Sequence, residues 1–286
     1  MSLIEIKKVE SKKDLKTFID FHYDLYEGNE YDVPNLFSDE MNTLSKDKNA
    51  AFEFCEAEYY LAYKDGKLAG RVAAIINHKA NNKWGKKSVR FGWIDFIDDP
   101  EVSSALIEAV KAYGRAKGMT EIEGPLGFTD MDAEGMLIEG FDQLSTMATI
   151  YNYPYYPKHI EALGFKKSAD WVEMKIYIPD AIPEKHRRIS EIIARKYNLH
   201  VRKFKSRKEV VNSGAAHRIF ELINDAYAPL FNFSRMSEKQ IDQYVHTYLQ
   251  VLDLRMVTVV ETEQNEIVAV GGAKGTAPEY SEKTNT

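Results

Sequence analysis

The sequence predicts a mixed α/β fold, in which helices cover a mixed β-sheet, and three patterns lead to this prediction. Two apolar, strand-like runs flank Asp65-Gly66, a dipeptide that is a strong reverse-turn signal. A strand-like run, a helical run and a short strand then follow one another between residues 88 and 123, as in a βαβ unit. The hydrophobic content of 44% and the aromatic content of 12% are sufficient for a core in a chain of 286 residues.

The first elements are a strand, a helix and a hairpin. Residues 3–9 alternate loosely between apolar and polar side chains and predict a strand. Ser11 begins a helix, with Asp14 in the capping-box position three residues later. The hairpin follows, with strands over 59–63 and 68–76.

The elements after the hairpin complete the predicted sheet. A strand over 88–97 has Phe91, Trp93 and Asp95 on one face. Pro100 suits the first turn of a helix and begins the next one. We expect strands over 120–123 and 171–178, and a short helix before Gly164. Residues 147–151 are a further candidate strand, which the order below does not include. The resulting order is β-α-β-β-β-α-β-α-β, which is typical of a mixed sheet covered by helices.

The later part of the chain repeats the pattern of the first part. Residues 199–204, followed by 206–210, resemble residues 4–9 and the helix start at Ser11, at an offset of 195. Residues 256–270 resemble the hairpin at an offset of about 198. Two matches in the same order at nearly one offset indicate a tandem duplication.

We therefore predict three regions. A complete domain spans 1–180, a basic helical linker spans 181–198, and an incomplete second copy with a disordered tail spans 199–286. The second copy has no counterpart of 88–178, and beyond Gly275 we expect coil. Its unfinished sheet should rest on the first domain, pair with another chain, as in a homodimer, or be poorly ordered.

The charge is distributed unevenly. The net charge is −6, yet residues 185–208 contain ten Lys or Arg against the single acid Glu191, which leaves −15 on the rest of the chain. Such a segment is either an anion site that attracts phosphates or a solvated helix face with a linker.

No membrane or targeting segment is expected. No apolar run reaches the 18 residues of a membrane span, and the N-terminus lacks the features of a signal peptide. Cys55 is the only cysteine, so no intrachain disulfide is predicted, and we expect a small buried hydrophobe at this position. We predict a cytoplasmic protein with no membrane partner.

Two motifs resemble the GNAT acetyltransferase superfamily. Residues 59–71 look like that superfamily's second hairpin, and the stretch from Asn152 through Tyr155-Tyr156 to Gly164-Phe165 resembles its Asn-to-Gly-Phe motif. The element order of the first copy is also the one seen in GNAT enzymes. The resemblance implies a GNAT-like fold that uses acetyl-CoA or acyl-CoA as a co-substrate, with no tightly bound cofactor.

The stretch 1–178 is also similar to an uncharacterised bacterial group with two tandem GNAT-like halves. The shared pattern runs from Phe91 to Glu101, through Gly124-Pro125 and 135–142, to 152–156. The second half is truncated here by comparison with that group.

The sequence departs from the superfamily where the pyrophosphate of the cofactor would bind. The resemblance places the cofactor beside four residues: Ile97, Val102, Ser103 and Ser104. GNAT enzymes have a glycine-rich loop there, whose backbone N–H groups approach the phosphates. Here the loop has no glycine, Pro100 removes a donor, and the acids Asp98, Asp99 and Glu101 occupy the anion position. We predict a degenerate loop and weak CoA binding, unless basic residues from elsewhere compensate.

Acetyl transfer to an amine needs a base for the amine proton and an acid for the leaving thiolate. Asp95, between Ile94 and Phe96, is our candidate base, with a pKa raised by burial, or it is a structural acid that closes the strand. Tyr156 and Tyr155 are candidate acids for the thiolate. The resemblance, however, implies a tyrosine four residues before Gly164, where neither of them lies. The alternative is that both tyrosines belong to an aromatic cluster in the core.

The substrate pocket is predicted at Asp132, Glu134 and Asn152. Asp130, Asp132 and Glu134 lie in one loop. These acids either bind a cationic substrate or stabilise the loop through hydrogen bonds to the loop backbone. The seven histidines show no metal-ligand spacing, so no metal is predicted.

Three functions remain open. The first is a GNAT-type acyltransferase that acts on a small amine. The second is a FemAB-like aminoacyl transferase, which would bind tRNA through the basic segment 185–208. The third is a non-catalytic GNAT-like binding module, which the missing phosphate loop favours. RNA is a partner under the second hypothesis alone.

Overall fold

The computed structural model describes residues 3–146, 149–251 and 253–272. Met147 and Ala148 of the predicted strand over 147–151, and the predicted coil and tail from residue 273 onward, lie outside the described residues. The chain divides into two compact units: Met1–Ala169 with Phe231–Ser234, and Asp170–Leu230 with Arg235–Thr286. The predicted first domain extends further, to residue 180.

Unit 1 contains a mixed five-stranded sheet. Its strands, in both chain and sheet order, are β1 (Ile4–Lys8), β2 (Cys55–Lys64), β3 (Lys67–Asn77), β4 (Ser88–Phe96) and β5 (Glu121–Glu123). The first four are antiparallel neighbours, whereas β5 pairs parallel to β4. The predicted mixed α/β class is therefore confirmed.

Helices cover both faces of this sheet. They are α1 (Lys12–Leu25), α2 (Phe37–Leu44), α3 (His78–Trp84), α4 (Pro100–Ala116) and α5 (Tyr155–Ala162), with a 3₁₀ turn at Ala50–Glu53. Ser11 and Asp14 form the predicted capping box at α1, and Asp99 caps α4 ahead of Pro100. Apolar residues of α4 and α5 pack on one face of the sheet, and those of α1 and α2 pack on the other.

A bulge in β4 changes which side chains share a face. Trp93 has a φ of +45°, and the pairing with β3 shifts between Arg71 and Ala73. Phe91 packs in the core beneath α4, whereas Trp93 packs on the opposite face. The prediction that Phe91, Trp93 and Asp95 share one face is wrong, because the bulge inserts a residue into the alternation.

The predicted strand over 171–178 is also wrong. This stretch has irregular backbone, although its apolar and polar residues alternate. A strand needs a hydrogen-bonding neighbour, and no described strand pairs with these residues. Val172, Met174, Ile176 and Ile178 are consequently at least 79% exposed.

Unit 2 contains a smaller, fully antiparallel sheet. Its strands are β6 (Leu199–Arg202), β7 (Val257–Thr262) and β8 (Ile267–Gly272), with β7 in the centre. Its helices are α6 (Glu184–Tyr197), α7 (Arg207–Asn212), α8 (Ala215–Tyr227) and α9 (Glu238–Val251), with a 3₁₀ turn at Leu254–Met256. Six buried residues form its core cluster: Phe204, Val210, Ala215, Ala216, Val259 and Ile267.

Candidate functional site

A cavity of about 130 Å³ opens in unit 1 beside the bulge of β4. It is lined by residues of α1, β3 and β4 and by loops before α2 and α5. Its polar lining combines acids, bases and amides: His22, Asp32, Asn35, Glu40, Arg71, Asp95 and Asn152. Aromatic side chains at Tyr23, Trp93, Tyr151 and Tyr156 complete much of the wall.

Asp95 is at the centre of a charged network. Its Oδ2 lies 2.7 Å from both Nε and an Nη of Arg71 and 3.1 Å from Nδ1 of His22. Its Oδ1 accepts a hydrogen bond of 3.0 Å from the Tyr156 hydroxyl. Burial alone would raise the pKa of Asp95, but the charges and hydrogen bonds of Arg71 and His22 outweigh burial and hold this pKa well below its usual range. The predicted raised pKa is therefore wrong.

His22 lies between two carboxylates. Its Nδ1 faces Asp95 and its Nε2 lies 3.3 Å from Oδ2 of Asp32. Burial lowers the pKa of His22, but the two carboxylates outweigh it and raise the pKa to about 9. At neutral pH the imidazole is therefore a cation that donates to both acids.

Tyr156 continues the network into the core. Its hydroxyl donates to Asp95 and accepts hydrogen bonds from Tyr26 at 2.9 Å and from the backbone N–H of Phe96 at 3.3 Å. Burial, and then the charge of Asp95, raise its pKa well above the usual range, so Tyr156 keeps its proton. Tyr155 instead donates to the Phe96 carbonyl at 2.6 Å and does not belong to the cavity lining.

The three predicted pocket residues have different places. Asn152 lines the cavity, but its amide pairs with the backbone N–H and carbonyl of Leu137 at 2.7 and 3.2 Å. Asp132 accepts a hydrogen bond from the Thr129 N–H at 3.0 Å and so holds its own loop. Neither Asp132 nor Glu134 is part of the cavity lining, although Ala133 between them is.

The three acids of this loop, Asp130, Asp132 and Glu134, are half-buried. Burial raises the pKa of Asp132 and of Asp130 to about 6, and burial, followed by the charge of Asp130, raises the pKa of Glu134 to about 8. Arg90 opposes all three shifts. Its guanidinium donates to the carbonyl of Gly127 at 3.0 Å.

The N-terminus of α4 is closed by its own residues. The Asp99 side chain accepts from the Glu101 N–H at 2.9 Å, and the Asp99 carbonyl accepts from the Val102 and Ser103 N–H groups. Lys64 pairs with both Asp99 and Glu101. The first-turn donors are thus already bonded, and a lysine from β2 compensates part of the acidity.

The predicted cofactor residues differ in exposure. Val102 and Ser103 are buried, whereas Ile97 is 36% exposed and Ser104 is half-buried. Ser103 Oγ lies 2.9 Å from Nδ1 of His159, and the other ring nitrogen of His159 lies 2.8 Å from Asp98. This chain of hydrogen bonds joins the start of α4 to α5.

Sequence reasoning missed four charged residues of the cavity: His22, Asp32, Arg71 and Glu40. They come from α1, the loop after it, β3 and α2, so no local motif contains them. His22 carried one signal, because it follows Leu15, Phe18 and Ile19 on the buried face of α1. A titratable side chain on such a face needs a buried partner.

Two curated proteins resemble the chain, whereas no family model matches it. Protein YghO of Escherichia coli (strain K12) is 36% identical over 160 residues, which are 56% of this chain and 41% of YghO. Bacterial ceramide synthase of Caulobacter vibrioides is 26% identical over 267 residues, which are 91% of this chain and 67% of that protein. The chain thus spans about two fifths of YghO and two thirds of the ceramide synthase.

Several solved structures similar to the chain are described as acetyltransferases. The aminoglycoside N-acetyltransferase AAC(6')-Iy in complex with CoA has a TM-score of 0.38 and 18% identity, over 62% of this chain and 97% of its own. A predicted acetyltransferase with acetyl-CoA from Clostridium acetobutylicum has a TM-score of 0.37 and 10% identity, over 60% and 96%. At such TM-scores, the assignment of the fold rests on the strand order described above.

None of the helices in the described ranges is both long and apolar enough for a membrane span. Within the same ranges, no group of three or more His, Cys, Asp or Glu side chains is arranged to hold a metal ion.

Proposed function

We propose that the protein is an N-acyltransferase, which transfers an acyl group from a thioester to a primary amine. The observation that carries the proposal is the buried charged network at the cavity beside the β4 bulge. The similarity to a bacterial ceramide synthase along 91% of the chain adds support. A ceramide is the amide of a fatty acid and a long-chain amino alcohol, so amide formation is the shared chemistry.

The cavity favours a cationic amine. Asp32, Glu40 and Asp95 contribute three formal negative charges, and Arg71 and His22 contribute two positive ones. Because these groups are buried, the remaining negative charge attracts an ammonium group more strongly than it would in water. An amine that enters as ammonium must then lose a proton before it attacks the thioester.

Asp32 is the better candidate for the proton acceptor. Asp95 is ionised, and both its oxygens are engaged by Arg71, His22 and Tyr156. The Asp32 carboxylate also lines the cavity, and its one ion pair among the described residues joins Oδ2 to His22. Its Oδ1 remains available to the amine. We therefore reassign Asp95 as the residue that orients Arg71, His22 and Tyr156.

Tyr156 is the candidate acid for the leaving thiolate. It lines the cavity and carries a proton at neutral pH, and the Tyr26 hydroxyl behind it could donate a proton in turn. An ammonium gives up two protons on the way to the amide, one before attack and one from the tetrahedral adduct. Tyr156 would supply one proton to the thiolate and regain one of these two, and the other would leave through Asp32 to solvent. Tyr155 is a weaker candidate, because its hydroxyl is bonded to the Phe96 carbonyl.

The acyl donor should be held mainly through its acyl and thioester portion. The first turn of α4 offers no unbonded backbone donor at Glu101, Val102 or Ser103 for a pyrophosphate. Acyl-CoA and a carrier-bound acyl thioester share the part that the cavity region would contact, and both belong in the assay.

A direct assay tests the proposal. The full chain is incubated with acyl-CoA thioesters of increasing chain length and with small and long-chain amines, and thiol release and amide mass are measured. Asp32→Asn should lower the rate at least about a hundredfold, a typical loss for a proton-transfer residue. Asp20→Asn on α1, whose side chain is 43% exposed and lies outside the cavity lining, is the matched control and should be unaffected.

The closed start of α4 also favours a second candidate, a non-catalytic binding module. Such a module would bind the amine with the same carboxylates but form no amide. Amine binding in calorimetry without thiol release from any donor would replace the acyltransferase proposal with this one. Aminoacylated tRNA as the donor would instead indicate the FemAB-like alternative.

A further inference from the structure

Helix α6 is amphipathic but has no buried residue. At about 100° per residue, its apolar side chains fall in one arc of about 140°. Ile189, Ile192, Ile193 and Tyr197 form this apolar stripe and are 43–57% exposed. Ile182, just before the helix, is 76% exposed.

The charges of α6 are separated around the helix. Lys185 and Lys196 lie within the apolar stripe, and Arg188 flanks it, by the same helical spacing. Among the described residues, no carboxylate forms an ion pair with any of these three cations. The acids Glu184 and Glu191 lie on the opposite side, where both pair with Arg187.

We propose that α6 lies flat on an anionic lipid bilayer, with its apolar stripe in the headgroup region and with Lys185, Arg188 and Lys196 at the phosphates. The surface of an anionic bilayer has negative phosphates above apolar acyl chains. Exposed isoleucines bordered by Lys and Arg, with the acids on the opposite side of the helix, complement such a surface. The lysines within the stripe can extend their ammonium groups toward the phosphates while their methylene stems stay among the lipids. This binding needs no membrane span and is independent of the proposed reaction.

Flotation of the full chain with lipid vesicles tests the proposal. The native protein should float with vesicles that contain phosphatidylglycerol, much less with phosphatidylcholine alone, and less as salt increases. Ile189→Ser combined with Ile193→Ser should lower the partition coefficient at least about tenfold. Circular dichroism of each variant confirms that the fold is retained.

Two adjacent arginines provide a matched pair. Arg188→Gln removes an unpaired cation beside the stripe and should lower the partition coefficient about fivefold, as expected for one basic residue near the surface. Arg187→Gln removes the same charge from the opposite side, where it is paired with Glu191, and should change partitioning by less than about twofold. Equal effects of the two substitutions would mean that the orientation is wrong.

A fluorescent label reports the contact directly. Cys55 is buried, so Ile193→Cys provides an accessible thiol for an environment-sensitive dye. Its emission should shift to the blue when phosphatidylglycerol vesicles are added, whereas a label at Ala194→Cys, on the far side, should shift less. The proposal is overturned if the native protein does not float with these vesicles. It is also overturned if light scattering finds a dimer in which the label at 193 is shielded before any vesicle is added.

Discussion

At the scale of single residues, Asp95 is the residue on which the charge balance of the cavity depends. The Arg71 side chain is 5% exposed and has Asp95 as its carboxylate partner. Asp95→Asn should therefore lower the free energy of unfolding by about 3–5 kcal/mol, because it leaves a buried guanidinium without its counter-charge. Urea unfolding of both proteins measures the difference.

Asp32→Asn is the matched control for that experiment. Asp32 is as buried as Asp95, at 8% side-chain exposure, but its partner is His22, which can release its proton. We expect a loss well below that of Asp95→Asn, although the substitution should remove activity. If Asp32→Asn proves the more destabilising of the two, Asp95 does not have the positioning role assigned to it.

His22 makes the stability depend on pH. Its pKa rises from an ordinary 6.5 to about 9 in the fold, so the folded state holds the proton more tightly than the unfolded chain. The resulting stabilisation is fully present below pH 6.5, decreases as pH rises, and is lost through pH 9. Its maximum is on the order of 3 kcal/mol.

Thermal unfolding between pH 6 and pH 10 measures this effect. The difference in Tm between the native protein and His22→Gln should be largest at pH 6 and should decrease toward pH 10. A difference that increases with pH would contradict a protonated His22.

The sequence allowed part of the site to be predicted, for physical reasons that differ among residues. Asp95 and Tyr156 were found because each belongs to a local pattern, a strand and an Asn-to-Gly-Phe motif. Arg71 lies in the hairpin motif, but its role depends on reaching across to Asp95 on β4. Asp132 and Glu134 were misplaced, because the turn of a loop decides which of its side chains face a cavity.

At the scale of secondary-structure elements, the start of α4 determines how CoA can bind. Asp98, Asp99 and Glu101 lie where a pyrophosphate would approach the helix, and Lys64 neutralises them in part. We expect acetyl-CoA to bind no tighter than the high micromolar range, because each carboxylate near the phosphates costs about 1 kcal/mol or more. Isothermal titration calorimetry of the full chain measures this affinity.

A variant of the same turn provides the comparison. Asp98→Asn combined with Asp99→Gly removes two charges, at a helix-cap cost of a few tenths of a kcal/mol. Its affinity for acetyl-CoA should increase. Submicromolar binding by the native protein would show that another part of the chain holds the phosphates.

Elements were predicted best where one pattern determines both their type and their neighbours. The hairpin β2–β3 and the capped helices α1 and α4 were found in this way. Residues 171–178 have the alternation of a strand, but alternation describes the faces of a strand and does not supply a neighbour to pair with. The bulge at Trp93 was missed because a positive φ at a tryptophan has no sequence signal.

At the scale of the whole molecule, equivalent features recur in the two units. Ile4 pairs with Lys64 and Leu199 pairs with Thr262, at the offsets of 195 and 198 seen in the sequence. The register shifts after Ala62 in β2 and after Val260 in β7, again 198 residues apart. The caps of α1 and α7 recur in the same way. We infer a tandem duplication from these features, whereas the predicted homodimer stays a prediction.

The two units should differ in local stability, because the described parts of their cores differ in size. Among the described residues, clusters of 16 and 12 buried residues cover the two faces of the sheet in unit 1, whereas the cluster in unit 2 has six. Strands β2 and β7 are a matched pair, since each lies between two antiparallel neighbours. Opening of a strand exposes the core that it covers, so amide exchange should be slower in β2 by about two orders of magnitude or more. Hydrogen–deuterium exchange followed by mass spectrometry measures both strands in one experiment.

The segment Phe231–Ser234 serves as an internal marker, because it belongs to unit 1 and Arg90 donates to its Asn232 carbonyl at 3.4 Å. Asn232, Phe233 and Ser234 are buried, so their amides should exchange with those of unit 1, although α8 and α9 on either side exchange faster. Equal protection of β2 and β7 would instead mean that the two units unfold as one cooperative body.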